Sequence, residues 1–488
     1  MAQAERTPAI FLARSGATGN EIYRVNGTTS DPNLGYPIVN VGDTNGDGLD
    51  DLAVRALPGS PNYRFTVNLY TARDGAWLRT INNPLGSTSF GSELAAAGDF
   101  NQDGYQDVLI GAPKHSGSAG VGHGAVFVYS GFDGSVLMEH YGATRLDELG
   151  SSVAGIGDIN GDGYPDILVG SQRYEGFGSA SHGRVYSGGT GQLLYTIEDP
   201  SYSIIAGDNC IPLKDLDGDG IPDFGISTGW SAISHTRGEV SLVNIYSGQN
   251  GSLVRSSSRL GFGTSGSGLA ALGDLNNDGV EEYSNIGDYD PSPLANNFIY
   301  SAASGRRWKT FDALIRGPAI GSIGDINGDG FGDIAVGNPN ESAGGLPYSG
   351  VLRVYHFDPM LSSSAAEVSA SNPVQVDFAI DFPNDHAGSY YMLLATFAGI
   401  GASSMPSVDI PLIFDPLTWR MMRIPPTAFQ NSQGFLNASG NGQASLLASS
   451  NQLLPRVGST LRLAAVAISP FQMDLNQSSA PVLLEIIP

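Results

Sequence analysis

The chain has 488 residues, with 48 Asp and Glu against 24 Lys and Arg, so its formal net charge at pH 7 is −24. This charge argues against a nucleic-acid partner, whose phosphates would be repelled. The single cysteine, Cys210, excludes an internal disulfide and a cysteine-based metal cluster, and no apolar run approaches the roughly 18 residues of a membrane-spanning helix.

The N-terminal residues MAQAERTPAI lack a basic segment followed by an apolar one, so we expect no intact signal peptide in this chain. The next segment, AIFLARSGATGNEIYRV, contains two strand-like stretches around a glycine-containing turn. It matches the second half of a unit that recurs later in the chain, because Ser15-Gly16 and Gly19 correspond to Ser130-Gly131 and Gly134. We predict that residues 20–25 supply the outer strand that the last unit lacks.

An acidic motif, D-x-[DN]-x-D-G-x-x-[DE], occurs six times at intervals of 51–59 residues. A glycine stands eight residues before each copy, which fixes the register of the repeat. The copies begin at Asp43, Asp99, Asp158, Asp215, Asp274 and Asp325, and the preceding glycines are Gly35, Gly91, Gly150, Gly207, Gly266 and Gly317. A fixed period of this length indicates a repeat architecture.

Each unit contains four short β-type segments. A brief apolar run such as DVLIG or DILVG follows each acidic motif, and a variable Gly- and Ser-rich connection leads to a strand–turn–strand segment such as AVFVYSGFDGSVLMEHY. No sustained helical period appears in these units. Four-stranded units repeated six times predict an all-β, six-bladed β-propeller over residues 1–359 that is closed by the N-terminal strand. Seven blades are the alternative, if the N-terminal hairpin begins a partial blade.

These units resemble the FG-GAP repeat family, which forms the propeller of integrin α subunits and occurs in many secreted bacterial proteins. The second unit carries the signature, since Phe90-Gly91 opens it and Gly111-Ala112-Pro113 follows its acidic motif. The resemblance covers roughly residues 9–358. The fourth unit departs from it with AGDNCIPLKD at its start, and only the second unit has a complete Gly-Ala-Pro. The resemblance implies a secreted or cell-surface protein.

The spacing of the acidic motif suits Ca²⁺, a hard cation that takes six to eight oxygen ligands, better than Mg²⁺, which demands a smaller octahedral cage. Side chains at positions one, three, five and nine and the carbonyl group at position seven are the predicted ligands, and glycine at position six permits the bend. One structural Ca²⁺ is predicted in each loop, about six in all. The predicted ligands are Asp43, Asn45, Asp47, Leu49, Asp51, Asp99, Asn101, Asp103, Tyr105, Asp107, Asp158, Asn160, Asp162, Tyr164, Asp166, Asp215, Asp217, Asp219, Ile221, Asp223, Asp274, Asn276, Asp278, Val280, Glu282, Asp325, Asn327, Asp329, Phe331 and Asp333.

The connections between the second and third strands of each unit should project from the face opposite the calcium loops, because antiparallel strands alternate in direction. In integrin propellers this face binds ligand, so the resemblance implies recognition here. The candidate ligand-binding residues are Arg173, Tyr174, Trp230, His235, Arg237 and Tyr348. The sequence leaves open whether these side chains bind a ligand or only pack within their own loops.

The repeats end near Pro359, and residues 360–372 are predicted to be a linker. Six or seven short apparent strands over residues 373–488 predict a small β-sandwich domain. This region is similar to a β-module found at the C-terminus of large secreted bacterial proteins, in stretches such as GSYYMLLATFAG and PLIFDPLTW. No activity follows from that similarity.

No catalytic residues are predicted. The seven histidines form no zinc-protease spacing, and the sequence contains no G-x-x-x-x-G-K-[ST] phosphate-binding loop. The sequence therefore favours a secreted or cell-surface protein that binds a glycan or protein ligand and is not an enzyme. Two alternatives stay open: a sugar-active enzyme of the lyase or dehydratase type that uses the propeller face, and a structural subunit of an extracellular surface assembly.

Overall fold

The computed structural model describes residues 10–15, 18, 20–27, 34, 37–57, 64–84, 86–87, 89–171, 182–198, 205–229, 240–260, 268–277, 279–286, 297–302, 304–311, 319–338, 351–357, 360–382, 386–401, 403–405, 408–468, 477–479 and 481–488. Nearly all regular structure in these residues is β-strand. Two strands form an antiparallel hairpin near the start of the chain: β1 (Ile10–Arg14) and β2 (Glu21–Asn26).

Five four-stranded antiparallel sheets follow the hairpin, and in each one consecutive strands are hydrogen-bonded neighbours. The first two sheets consist of β3 (Ile38–Gly42), β4 (Asp51–Ala56), β5 (Thr66–Thr71) and β6 (Trp77–Ile81), then β7 (Glu93–Gly98), β8 (Asp107–Gly111), β9 (Ala125–Tyr129) and β10 (Val136–Tyr141). The next three consist of β11 (Leu149–Gly157), β12 (Asp166–Ser171), β13 (His182–Tyr186) and β14 (Leu193–Glu198), then β15 (Ile205–Pro212), β16 (Phe224–Gly229), β17 (Val240–Tyr246) and β18 (Leu253–Leu260), then β19 (Gly268–Gly273), β20 (Glu282–Ile286), β21 (Asn297–Ser301) and β22 (Arg307–Phe311).

A sixth sheet has three strands, β23 (Ala319–Gly324), β24 (Asp333–Asn338) and β25 (Val351–Tyr355). Within the described part of the chain, β2 pairs with β1, and the hairpin packs through Phe11 and Tyr23 against Val54 and Tyr70 of the first sheet. The role of residues 20–25 as the outer strand of the sixth sheet stays a prediction, and so does the number of blades.

Neighbouring sheets pack face to face, and each contact encloses its own apolar core. The first strands of successive sheets lie next to one another in chain order, from β3 to β23. The second strand of a sheet is covered on both faces, and every residue of β8 and β12 is buried. This double burial explains why the runs after the acidic motifs are continuously apolar instead of alternating. Tandem four-stranded meanders stacked in this way are propeller blades, so the predicted all-β repeat fold is confirmed.

The C-terminal region contains two larger sheets around a separate core. One consists of β26 (Leu361–Ser363), β28 (Val374–Asp381), β34 (Asn441–Ala448) and β32 (Phe429–Gln430), and the other of β27 (Glu367–Ser369), β37 (Val482–Ile487), β35 (Thr460–Ile468), β29 (Tyr390–Thr396) and β33 (Gln433–Phe435), with β36 (Gln477–Ser478) beside β35. A short hairpin is formed by β30 (Ser403–Met405) and β31 (Val408–Ile410). Residues of β28 are alternately buried and exposed, so this strand covers the shared core with one face, as expected in a sandwich.

The structure differs from the sequence prediction at two places in this region. The predicted linker, residues 360–372, contains β26 and β27, and its Leu361 and Val368 are buried in the C-terminal core. An unpredicted helix, α1 (Pro416–Arg423), begins after Asp415, whose carboxylate accepts the Thr418 N–H at 2.9 Å in a capping box. Among the described residues, no helix has the length and apolar content needed to span a membrane.

Candidate metal centres in the acidic loops

The acidic motifs occupy the turns between the first and second strands of all six sheets, and they share one backbone conformation. In every loop the N–H of the glycine at position six donates to the first Asp, at 2.7–2.9 Å. These glycines are Gly48, Gly104, Gly163, Gly220, Gly279 and Gly330, with φ between +81° and +92°. Only glycine adopts this left-handed conformation without a steric penalty, which explains its place in the motif.

The side chains at positions three and five fold back onto the same turn. In the third loop, the Asn160 side-chain oxygen accepts the Asp162 N–H at 2.8 Å, and Asp162 accepts the Tyr164 N–H at 2.9 Å. The corresponding bonds recur in the first, second, fourth and sixth loops. Carboxylate oxygens have spare lone pairs after accepting one N–H, so these bonds orient the side chains and leave them able to bind a cation.

The acid at position nine is the first residue of the second strand in five loops and immediately precedes that strand in the fourth, and it is fully buried in all six, at 0% exposure. Its carboxylate accepts the N–H of position two at 2.7–3.0 Å in each loop. Glu282 replaces Asp in the fifth loop and makes the same bond, to the Leu275 N–H at 2.8 Å. The additional methylene group of Glu282 is therefore accommodated without loss of this contact.

The acids of one loop come close enough to share an ion. Carboxylate oxygens of Asp215, Asp217 and Asp223 in the fourth loop lie within 4.8 Å of one another. Ionised carboxylates at such separations repel one another unless a cation or protons lie between them. A donor set made entirely of oxygen atoms fits Ca²⁺ and does not favour a softer metal.

The first and ninth positions differ in electrostatic environment. Burial raises the pKa of four ninth-position acids, Asp51, Asp107, Asp166 and Asp223, to about 6 for Asp107 and Asp166. The N–H groups of Gly220 and Gly330 lower the pKa of first-position Asp215 and Asp325, respectively, by stabilising their ionised forms. The loop therefore presents a stable exposed anion beside a buried acid whose charge needs a counterion.

Comparison with known proteins identifies the repeat. The family model for the FG-GAP repeat matches residues 90–129, 149–187 and 317–355, which are the second, third and sixth units. The chain carries FG-GAP repeats.

The FG-GAP region is also similar to integrin α chains. Integrin alpha-2 of Bos taurus is 32% identical over 149 residues, which cover 26% of this chain and 12% of the relative. Integrin alpha-6 of Homo sapiens is 43% identical over 88 residues, covering 17% of this chain and 8% of the relative. The chain thus matches only a small part of the length of these relatives. A solved structure described as the Dos1 propeller covers 63% of this chain and 65% of its own, at 11% identity and a TM-score of 0.36.

Sequence reasoning missed a second contact of the buried acid that four of the repeats show. The turn after the third strand reads Tyr-Ser-Gly in three repeats, and the N–H groups of Gly131, Gly188 and Gly248 donate to Asp107, Asp166 and Asp223 at 2.9–3.0 Å. In the sixth repeat the ring of His356 replaces this donor, with Nδ1 3.0 Å from Asp333. The recurrence of Tyr-Ser-Gly about 22–25 residues after each acid was the available signal.

The structure describes every predicted metal ligand of the FG-GAP loops except Asp278, which lies outside the described residues. The six candidate ligand-binding residues also lie outside them: Arg173, Tyr174, Trp230, His235, Arg237 and Tyr348. Their proposed role therefore stays a prediction. Only in the second sheet does the structure describe the whole connection from second to third strand, residues 112–124.

Proposed function

We propose that this chain is a calcium-stabilised FG-GAP propeller that recognises a glycan or protein ligand outside the cell or at its surface, without chemical turnover. The observation that carries the proposal is the repetition of one loop geometry in six sheets, each with a fully buried acid at position nine. The sequence similarity to integrin α chains supports recognition as the task of the scaffold.

Calcium would be held by the side chains at positions one, three, five and nine of each loop, together with the carbonyl group at position seven. When bound, the cation supplies positive charge that offsets the repulsion among the acids. The chain's own part is to orient those acids through the N–H groups of the loop glycines. In the third loop, Asp166 extends this order into the blade, because it is hydrogen-bonded to both the loop and the turn after the third strand.

The ligand is proposed to bind at the opposite ends of the sheets. In the second sheet this end is formed by residues 112–124, which fold into a tight turn with paired backbone bonds between Gly117 and Gly120. The loop is anchored by the Lys114 N–H, which donates to the Ser89 hydroxyl oxygen at 2.8 Å, and its tip exposes Val121 at 62%. An ordered loop with an exposed apolar tip on a rigid scaffold is suited to binding.

The proposal is tested by screening the purified chain against a glycan array and a panel of extracellular proteins, in calcium and in EGTA. We expect binding that requires calcium and that falls by at least about tenfold in Trp230→Ala and Arg237→Ala, since aromatic and arginine side chains dominate most binding surfaces. Trp77→Ala, a change at an exposed Trp on the outer strand β6, is the matched control. Equal binding by both loop variants and the parent would refute the assignment of the face, and conversion of a bound sugar would favour the enzyme alternative.

A further inference from the structure

Two histidines lie together in the connection between β8 and β9, at the end of the second sheet opposite its acidic loop. His115 and His123 are 8% and 2% exposed. Their ring centres are 5.1 Å apart and the ring planes are inclined at 79°. Tyr141 covers one side of the pair, with its ring centre 5.8 Å from that of His115 and 6.1 Å from that of His123.

The two rings direct the same nitrogen toward one small space. A Cβ atom added at Gly117 would lie 3.0 Å from Nε2 of His123 and 3.5 Å from Nε2 of His115. The absence of a side chain at Gly117 keeps this space open between the two nitrogens and the exposed turn.

His123 also lacks the partners that a buried imidazole normally has. Among the residues that the structure describes, neither Nδ1 nor Nε2 of this ring has a hydrogen-bond partner. Leaving a buried polar group unsatisfied costs roughly 1–3 kcal/mol, so such groups call for an explanation in terms of a ligand or a bound ion.

The separation of the rings fits shared coordination. Zn–N bonds to imidazole are about 2.0–2.1 Å, and two imidazoles at tetrahedral angles on one ion have ring centres roughly 5 Å apart. Imidazole nitrogen prefers borderline ions such as Zn²⁺, Cu²⁺ or Ni²⁺ to Ca²⁺, which takes oxygen ligands. The pair therefore differs in chemistry from the acidic loops.

We propose that His115 and His123 bind one divalent transition-metal ion through their Nε2 atoms, in the space beside Gly117. Two protein ligands leave the remaining coordination positions to water or to an oxygen donor from a ligand. The site lies in the connection 112–124, at the end of the second sheet opposite its acidic loop, and the proposal does not depend on which ligand the propeller binds.

The test is a Zn²⁺ titration of the untagged full chain by calorimetry, with excess Ca²⁺ present to fill the acidic loops. We expect one Zn²⁺ per chain with a Kd on the order of micromolar, and a Cu²⁺-loaded sample whose electron paramagnetic resonance spectrum shows two equivalent nitrogen ligands. His123→Phe should abolish this binding. Gly117→Ala keeps both histidines but fills the space between them, and should weaken Zn²⁺ binding by at least about tenfold.

Ser118→Ala, a change at an exposed residue of the same turn, is the matched control and should bind Zn²⁺ as the parent does. Melting temperatures in calcium establish that each variant is folded. The proposal is overturned if the parent binds no Zn²⁺ under these conditions, or if Gly117→Ala and His123→Phe, while folded, bind it as well as the parent. Either result would assign the pair to aromatic packing of the loop.

Discussion

The glycine of the Tyr-Ser-Gly turn illustrates how closely the backbone of each blade is packed around its buried acid. A Cβ atom on Gly188 would lie 2.0 Å from the carbonyl oxygen of Pro165, and one on Gly131 would lie 1.9 Å from that of Gln106. Neither glycine has a positive φ, so space and not conformation requires glycine there. The residue contacted is in each case position eight of the acidic motif.

Gly188→Ala should lower the free energy of unfolding by about 2–3 kcal/mol, because the backbone of the loop has to shift to admit the methyl group. The measurement is chemical denaturation in calcium buffer. Gly321→Ala is the control, since a Cβ atom there meets nothing within 4 Å and should leave stability nearly unchanged. A Gly188→Ala variant as stable as the parent would show that the turn is not constrained by this contact.

Glu93 gives the molecule a predictable pH dependence away from the metal loops. It lies at the start of β7, and burial raises its pKa to about 7, although Arg55 nearby opposes the shift. The folded state therefore retains a proton that the unfolded chain releases near pH 4.5. Stability contributed by this group is fully present below about pH 4.5 and is lost as the pH rises through about 7.

Glu93→Gln should consequently raise stability by about 1–2 kcal/mol at pH 8, with little change at pH 4.5, after allowance for partial solvent screening. Denaturation curves of parent and variant across this range provide the measurement. Glu139→Gln, at an exposed position on β10, controls for the loss of one negative charge. The assignment fails if the difference between parent and Glu93→Gln does not grow between pH 5 and pH 8.

At the scale of the element, each acidic loop is a separate turn. Its contribution to calcium binding and to stability can therefore be removed without changing the other loops. Asp162→Ala deletes an exposed predicted ligand of the third loop and leaves the buried Asp166 in place. We expect the calcium stoichiometry to fall by one per chain. Stability in calcium should fall by about 2–3 kcal/mol, because one saturated site contributes roughly that much, with little change in EGTA.

The control for this variant is Asp133→Ala, which removes the same charge from an exposed turn between β9 and β10 where the side chain accepts the Ser135 N–H at 2.8 Å. Calcium titration by calorimetry and denaturation in both buffers provide the readouts. An unchanged stoichiometry in Asp162→Ala would contradict the assignment of the third loop as a calcium site.

The elements that could be predicted from the sequence are those whose residue pattern recurs along the chain. The six loops and the strands that follow them were predictable. Gly163 and its counterparts recur in register, and all of them adopt the same left-handed backbone conformation, which favours glycine. The sandwich strands were predictable where one face is buried, as in β28. Helix α1 was not, because its eight residues contain too few turns for an apolar period, and only the cap at Asp415 marked its start.

Other features could not be predicted because they depend on contacts distant in sequence. The strands β26 and β27 lie in a Ser- and Ala-rich stretch, and their burial depends on pairing with β28 and β37. The contact between Gly188 and Asp166 joins residues 22 apart through the turn of another hairpin. The approach of His115 to His123 likewise follows from the fold of one connection, and no metal-binding spacing in the sequence indicated it.

On the scale of the whole molecule, calcium should stabilise one part of the chain and not the other. The C-terminal core is formed by residues between Met360 and Ile486, whereas the cores between the blades are formed by residues between Val41 and Phe357. All six acidic motifs lie between Val41 and Phe357, in the part of the chain that forms the blades. In calcium the ions raise the stability of the blades, since each site occupied at 100 times its Kd adds about 2.7 kcal/mol.

Differential scanning calorimetry with and without EGTA tests this expectation. Removal of calcium should lower the melting temperature of the blade transition by about 10 °C or more, and a second transition from residues 360–488 should stay where it was. Adding Mg²⁺ after EGTA should restore little, because Mg²⁺ demands a smaller, near-ideal octahedral cage and usually keeps several of its waters. If EGTA moves neither transition, the loops do not depend on calcium for their stability. A shift of both transitions together would instead mean that the blades and the C-terminal sheets unfold as one cooperative unit.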